Sequence, residues 1–363
     1  MKTLVKNRQI FFLCLVPVLG FGVFSVANTA VRYLSTGAWA AVLAAALLIL
    51  PAALMLCALA KRYPGETLME YAPKVAGKVA GNLLSGVYAL FFLIFAGLLV
   101  SYFSHVVVTW ILPHTDYRLI SAFLVLICAY AISKDFTSLI RLVSFVGALC
   151  VLAVLAMRVL MVVFGNVDNL LPLIEPEVLR AGLPNAAGRV FGFFFCIGAL
   201  AILPQGKHNR GSMLIVILGV LGAALLLALV CAACISVLGV PQTALYKDAM
   251  ALAMKTFDIS RSTFIQRADV IFIVTWTLLI LSALCCTCYI PFSFVKRFTN
   301  GTARRLSGAA LCVLLFVIAL LPADFSAALS AANTACLTFG LVALYVIPLI
   351  LLILSGVRRH EKK

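Results

Sequence analysis

Long apolar stretches separated by short polar segments run through the whole chain. A helix that crosses a bilayer needs about 20 consecutive, mostly apolar residues, and ten stretches approach or exceed that length. The pattern predicts an all-α membrane protein with ten transmembrane helices. The predicted spans cover residues 10–31, 37–60, 82–112, 119–133, 140–164, 187–204, 212–238, 268–291, 306–321 and 334–355.

The ten spans divide into two groups of five within a single polytopic membrane domain, residues 1–363. The first five-helix half covers residues 1–165 and the second covers residues 187–363. Three connecting segments, residues 61–81, 165–186 and 239–267, are long enough to have structure of their own. Residues 61–81 predict a short interfacial helix on one side, and residues 239–267 mix charged and apolar positions as an amphipathic surface helix does.

Composition agrees with lipid as the main solvent and excludes an ordinary soluble protein. Hydrophobic residues make up 64% of the chain and charged residues 11%, with a mean hydropathy of +1.17, whereas soluble chains are about 45–50% apolar and about 25% charged. The net charge of +16 does not indicate nucleic-acid binding, because the cations form short clusters between the spans. With the N-terminus inside, 19 of the 28 Lys and Arg lie in inside segments and 8 in outside segments. This bias predicts that both termini are cytoplasmic.

Helix-breaking residues gather in the first and sixth predicted spans. Pro17, Gly20 and Gly22 lie near the middle of the first, and Gly192 and Gly198 are spaced through the sixth. In a bilayer a helix break persists only beside protein or a water-filled cavity, and interrupted segments at matching positions of two halves indicate a transporter-type binding site. We therefore expect helices 1 and 6 to be discontinuous. The alternative is that these glycines only allow close helix packing.

A broken helix recognises charge without charged side chains. Unwound backbone near Gly20 and Gly22 exposes amide N–H groups, and the N-terminus of a half-helix adds a partial positive charge, so that together they bind a carboxylate. Freed carbonyls at the opposite break accept hydrogen bonds from an ammonium group. Such a site suits a zwitterion, and an amino acid is the simplest example.

The third and eighth spans supply candidates for the rest of the pocket. Tyr88 and Phe92 lie on one face of the third span, because they are four residues apart. Trp276, Thr277 and Ser282 provide indole and hydroxyl groups on the eighth. Each also has an ordinary structural explanation: helix or lipid contact for the aromatic residues, and hydrogen bonding to the preceding turn for the hydroxyls.

Ionisable residues inside the spans are scarce, which makes each one informative. Arg158 lies about 10 Å from the outer end of the fifth span, so we expect its side chain to snorkel to the interface. Asp269 opens the eighth span, where a carboxylate favours a helix N-terminus.

Patterns of catalysis and metal binding are absent from the sequence. It contains no GxGxxG, P-loop or HExxH motif, and its four histidines show no metal-ligand spacing. We therefore expect no enzymatic activity, no cofactor and no metal. The twelve cysteines mostly lie inside apolar runs, where they serve as small packing residues.

A series of short motifs follows in order along most of the chain. They are residues 63–71 (YPGETLMEY), 77–78 (GK), 88–92 (YALFF), 112–113 (LP), 129–131 (AYA), 139–141 (LIR), 169–172 (NLLP), 264–269 (FIQRAD) and Trp276. In order and spacing they resemble the GerAB/GerKB-type B subunits of spore germinant receptors, members of the amino acid–polyamine–organocation (APC) transporter superfamily.

This resemblance implies a LeuT-like fold, with the ten helices arranged as a 5+5 inverted repeat. It implies a place in a bacterial cell membrane or the inner membrane of a spore, a small germinant such as an amino acid, and partnership with A and C receptor subunits. A working amino-acid or cation-coupled transporter of the same fold is the alternative. The ligand-site residues assigned by the patterns and the resemblance are Gly20, Gly22, Tyr88, Phe92, Phe195, Cys196, Gly198, Trp276, Thr277 and Ser282. One departure is that Cys196 occupies a position where relatives often carry a glutamate.

Overall fold

The computed structural model describes residues 5–204, 211–256 and 268–360, with side chains described for 5–204, 211–256 and 270–357. Within those ranges all regular secondary structure is helical. The α-helices are α1 (Asn7–Gly22), α2 (Val26–Leu34), α3 (Ala38–Arg62), α4 (Leu68–Ala76), α5 (Lys78–Trp110), α6 (Tyr117–Ser133), α7 (Phe136–Phe164), α8 (Pro176–Phe191), α9 (Ser212–Leu245), α10 (Ala249–Thr256), α11 (Ala268–Lys296), α12 (Gly301–Ala319), α13 (Phe325–Ala335) and α14 (Ile347–His360). Three 3₁₀-helices lie at Ser35–Gly37, Val167–Leu170 and Gly192–Ile202, and two π-helical turns, Cys336–Gly340 and Val342–Val346, connect α13 to α14.

Eight continuous helical stretches in the described ranges are long and apolar enough to cross a membrane. They are Val26–Arg62, Lys78–Trp110, Phe136–Phe164, Pro176–Ile202, Ser212–Leu245, Val270–Lys296, Gly301–Ala319 and Phe325–Val357. Two further apolar helices are shorter, α1 with 16 residues and α6 with 17. The chain is a multi-pass membrane protein of helical architecture.

The first helix forms the centre of the molecule. From Leu13 to Gly22 every residue of α1 is buried, and the helix contacts α7, α9, α11 and the 3₁₀-helix Gly192–Ile202. A helix that is apolar all round is stable only when surrounded, which explains this position. By contrast, α6 and α12 expose large apolar side chains such as Leu126 and Val313 on the outside of the molecule, as helices that face lipid do.

The connecting segments agree in part with the expectations from the sequence. The short helix expected within residues 61–81 is α4, whose capping box joins Thr67 and Glu70. Within residues 239–267 the structure has α10, and residues 257–267 lie outside the described part of the chain. The sixth predicted span begins earlier than expected, because α8 starts at Pro176, at a position in the first turn where proline is favoured.

The expectation that Arg158 snorkels to the interface is wrong. Its side chain is fully buried between α7, α10 and α11. Residues 264–267 of the FIQRAD motif and the side chain of Asp269 lie outside the part of the chain that the structure describes.

Candidate functional site

The first predicted span is broken in the structure. Helix α1 ends at Gly22, residues 23–25 form a turn, and α2 begins at Val26. Ser25 closes the turn, its amide donating to the Gly22 carbonyl at 3.2 Å. All three turn residues are buried, so the break lies against protein, as a break at membrane depth must.

The break lies just beyond the glycines that were expected to form it. Gly20 and Gly22 themselves remain helical and serve close packing, and the break predicted near them begins directly after Gly22. A Cβ atom on Gly20 would lie 2.4 Å from the Leu279 carbonyl oxygen, and one on Gly22 would lie 2.9 Å from the Leu227 side chain. Gly20 lets the backbones of α1 and α11 approach closely near the end of α1, and Gly22 makes room for the Leu227 side chain of α9.

Trp276 of α11 supplies one hydrogen bond at the α1 terminus. The last carbonyls of a helix have no partner within it, and the Gly20 carbonyl is one of them, since its usual donor would be the amide of Phe24 in the turn. The Trp276 Nε1 donates to this oxygen at 3.1 Å. The indole thereby joins the eighth predicted span to the break in the first.

The sixth predicted span changes its helical form rather than being interrupted. Phe191 and Gly192 keep right-handed helical dihedral angles, and α8 passes directly into the 3₁₀-helix Gly192–Ile202. The expected discontinuity is therefore a change in hydrogen-bond pattern with no gap. At 11 residues this 3₁₀-helix is far longer than usual, and such stretches within a helix often mark a functional hinge.

Tyr88 and Phe92 of α5 both contact this 3₁₀-helix at Gly198. The Tyr88 hydroxyl donates to the Gly198 carbonyl at 2.7 Å. A Cβ atom on Gly198 would lie 2.0 Å from Cζ of Phe92, so the ring covers the bare Cα. The structure thus brings together three residues predicted from the sequence, and Trp276 holds the other altered helix.

Aromatic residues that the sequence did not single out fill the space between the two altered helices. The Phe21 and Phe193 ring centroids lie 4.9 Å apart, and Phe21 also contacts Phe95 and Tyr102. The Tyr102 hydroxyl forms a 2.9 Å hydrogen bond with the Ser25 hydroxyl in the turn. Tyr102 could have been identified from the sequence, because a phenol within an apolar run needs a hydrogen-bond partner. A phenylalanine in an apolar span gives no such indication.

The remaining predicted residues lie around this centre with ordinary contacts. Phe195 is buried against Phe91 and Phe191, and Cys196 is fully buried beside it. Thr277 is half-buried, and the Ser282 hydroxyl donates to the carbonyl of Leu278 in its own helix. Among the described residues, none of these four forms a hydrogen bond with the break at residues 23–25.

The side of the break next to α10 is closed by aromatic residues. The ring of Phe24 lies 4.9 Å from Trp276 and 6.4 Å from Phe272, measured between centroids. Next to them is a cavity of about 10 Å³, enough for one water molecule, which is also lined by Trp110 and Met254. At its edge the Trp110 Nε1 donates to Asp248 Oδ2 at 2.8 Å.

The C-terminal end of the 3₁₀-helix Gly192–Ile202 is more open and more polar. A cavity of about 590 Å³ reaches the end of the 3₁₀-helix at Ile202 and Pro204. Its lining carries both charges, the carboxylates of Glu70 and Asp135 and the cations Lys296, Arg297 and Arg304. In the described part of the chain no three His, Cys, Asp or Glu residues are grouped as metal ligands would be.

Comparisons with known proteins agree on the class of molecule. A family model described as "Spore germination protein" matches residues 4–328. The chain is similar to spore germination protein YndE of Bacillus subtilis (strain 168), with 24% identity over 176 residues. That match spans 48% of this chain and 48% of the relative, about half of each.

Among solved structures, the chain is similar to one titled "Crystal structure of MhsT in complex with L-phenylalanine". The TM-score is 0.63 at 14% identity, and the match covers 98% of this chain and 99% of that one. At this level of identity the likeness establishes the fold alone.

Proposed function

The chain belongs to the family of spore germination proteins, and from that membership we propose that it is the membrane subunit of a spore germinant receptor. It binds a small nutrient, an amino acid, at the broken first helix and signals germination. Its place is the spore inner membrane, where it works with A and C receptor subunits. The observation that carries the proposal is the buried turn at residues 23–25, which follows directly on the end of α1, where Phe21 packs against Phe193 of the 11-residue 3₁₀-helix.

The full topology in this proposal has ten spans. Helices α1 and α2 together form the first, and α6, at 17 residues, lies at the short end of the range for a span. The stretch Val26–Arg62 is divided between α2 in the first span and α3 in the second, and each of the other seven longer stretches forms one span. These ten spans form a 5+5 inverted repeat with both termini cytoplasmic. The excess of Lys and Arg in the alternate loops supports this orientation.

Ligand recognition follows from the polarity of the backbone. The first amides of α2, at Val26 and Ala27, have no partner within that helix and lie at its positive end, which suits a carboxylate. The carbonyls that end α1 suit an ammonium group. The surrounding aromatic side chains exclude water, which strengthens both interactions.

Signalling requires that the ligand bind two states of the protein with different affinities. A ligand shifts such an equilibrium only by that difference. In this structure Phe24, Trp276 and Phe272 close the side of the break next to α10, while a cavity lies at the C-terminal end of the 3₁₀-helix. We propose that ligand binding at the turn changes the balance between this state and one open to the outside, and that the partner subunits respond.

An amino-acid or cation-coupled transporter of the same fold is the second candidate. The observation that favours it is the 590 Å³ cavity, which meets the inner end of the 3₁₀-helix and lies where a transported solute would leave. Uptake of labelled amino acids into proteoliposomes that contain this chain alone would support transport. If no uptake occurs and spores still germinate in response to an amino acid, the chain acts as a receptor and not as a transporter.

Germination of spores whose receptor contains this chain tests the proposal. Wild-type spores are compared with Gly22→Leu and Tyr88→Ala spores on a panel of the twenty amino acids, with Tyr130→Ala, a change at an exposed tyrosine, as the matched control. We expect both site variants to lose the response that wild type and control share. Normal responses from both, with immunoblots showing the proteins at wild-type levels, would contradict the proposed site.

A further inference from the structure

Among the described side chains, Arg158 is a buried cation without an anionic partner. Its side chain is fully buried in the C-terminal part of α7. Nη1 contacts two thioether sulfurs, Met161 Sδ at 3.7 Å and Met254 Sδ at 3.5 Å. Nε and Nη2 have no hydrogen-bond partner among the described residues. Only weak acceptors therefore surround a group with five N–H donors.

This arrangement is costly for the folded protein. Removing a cation from water carries a penalty of several kcal/mol that a counter-ion normally offsets, and the Phe272 ring, 5.0 Å from the guanidinium carbon, offsets only part of it. Apolar side chains of similar size would stabilise the position more. An intramembrane arginine in this situation indicates a functional site.

The guanidinium is one ring away from the broken helix. Phe272 contacts Arg158 and also lies 6.4 Å from Phe24 in the turn. Met254 and Phe272 both line the small cavity beside Phe24 and cover the guanidinium. Met254 has a flexible side chain, and these two side chains lie between Arg158 and the small cavity beside the break.

Nearby charges already have partners of their own. Asp248 accepts from Trp110, and the Lys255 ammonium lies over the Trp110 ring at 4.3 Å from its centroid. The uncompensated charge on this side of the site is therefore that of Arg158, among the side chains described.

We propose that Arg158 binds the side-chain carboxylate of an acidic amino acid whose α-carboxyl and α-amino groups occupy the helix break. This assignment rests on the proposed function, in which the backbone recognises the zwitterion. A neutral amino acid would leave the guanidinium unpaired, whereas a second carboxylate matches its planar donors in a bidentate pair. Met254 and Phe272 withdraw as this ligand enters.

Two pairs of nearly isosteric probes test the proposal. Binding of L-glutamate against L-glutamine, and of L-aspartate against L-asparagine, is measured by calorimetry on the purified full chain in nanodiscs. The variants are Arg158→Met, Arg158→Lys and, as a matched control, Arg118→Met at an exposed arginine. We expect wild type and the control to bind the acid of each pair more tightly than the amide. In Arg158→Met we expect the affinity for the acid to fall by about 30-fold or more and the affinity for the amide to stay unchanged.

Thermal unfolding without ligand separates ligand binding from a structural role. An unpaired charge predicts that Arg158→Met unfolds at or above the wild-type temperature. An internal ion pair predicts the reverse, with Asp258→Asn or Asp269→Asn lowering the midpoint in the same way, and that result would overturn the proposal. Should Arg158→Met not fold, Arg158→Lys decides, because it keeps the charge, loses the planar donors and is expected to lose the preference for the acid.

The outcomes distinguish this inference from the proposed function. Wild type that binds neutral amino acids, with affinities unchanged by Arg158→Met, overturns the role of Arg158 and leaves the receptor proposal standing. Wild type that binds none of the twenty amino acids overturns both.

Discussion

The indole Nε1 of Trp276 and the carbonyl of Gly20 form a 3.1 Å hydrogen bond that joins α11 to the end of α1. A second bond of the same kind joins the Tyr88 hydroxyl to the carbonyl of Gly198 at 2.7 Å. In both, the polar tip of a buried aromatic residue holds the backbone of an altered helix. If either altered helix moves, its hydrogen bond must break or the partner helix, α11 or α5, must move with it. The two bonds therefore connect the altered helices to α5 and α11.

Replacement of Trp276 by Phe is expected to destabilise the protein and abolish its response to ligand. The buried Gly20 carbonyl would lose its donor, at a cost of about 1–3 kcal/mol, and the smaller ring would leave a cavity beside Phe24. Thermal unfolding of the purified protein measures the first effect and spore germination the second. Trp39→Phe is the control, because Trp39 also donates to a carbonyl, that of Leu173, at 3.4 Å and in an exposed position. Equal effects of the two changes would contradict a special role for Trp276.

Replacement of Tyr88 by Phe removes one hydroxyl and leaves the ring packing intact. We expect a loss of about 1–3 kcal/mol in the free energy of unfolding, because the Gly198 carbonyl is buried and loses its donor. Tyr130→Phe, at an exposed tyrosine, should leave stability unchanged. If germination with Tyr88→Phe keeps the wild-type dependence on ligand concentration, the Tyr88–Gly198 bond plays no part in signalling.

The sequence predicted the helical class and the break in the first span because both depend on local composition. Apolar runs of membrane length identify helices without tertiary information, and a phenol or an indole inside such a run needs a partner. For these reasons Tyr88 and Trp276 were found, and both donate to backbone carbonyls at the altered helices.

The details that the sequence missed depend on packing between distant segments. Unwound backbone was expected near Gly20 and Gly22, but the two glycines themselves act as packing residues, because Leu279 and Leu227 approach them closely. Arg158 was expected at the interface because its distance from the helix end allows it, whereas α10 and Phe272 enclose it. No pattern within α7 encodes those contacts.

Replacement of Gly198 by Ala is expected to disable the site through overpacking. The new Cβ would lie 2.0 Å from the Phe92 ring, so the ring or the 3₁₀-helix must shift, at a cost of about 1–3 kcal/mol. Gly188→Ala on α8 is the matched control, since a Cβ atom there meets nothing within 4 Å. We expect the germination response to fail in the first variant and persist in the second, with both proteins present in the membrane. A normal response from Gly198→Ala would show that the contact with Phe92 is not needed.

Loss of the Asp248 carboxylate is expected to loosen the closure of the proposed site by Phe24, Phe272 and Trp276. Asp248 accepts from Trp110 immediately before α10, and α10 carries Met254, which covers Arg158. In Asp248→Ala the Trp110 indole loses this partner, so α10 should open more often and its amides should exchange faster with deuterated solvent. Mass spectrometry of peptides from residues 249–256 measures that exchange. Asp324→Ala is a control for the removal of a carboxylate, since Asp324 caps α13 through the amide of Ala327 and its loss should raise exchange at the start of α13 while leaving α10 unchanged. Equal exchange in α10 of wild type and Asp248→Ala would show that the Trp110–Asp248 bond does not hold this closure in place.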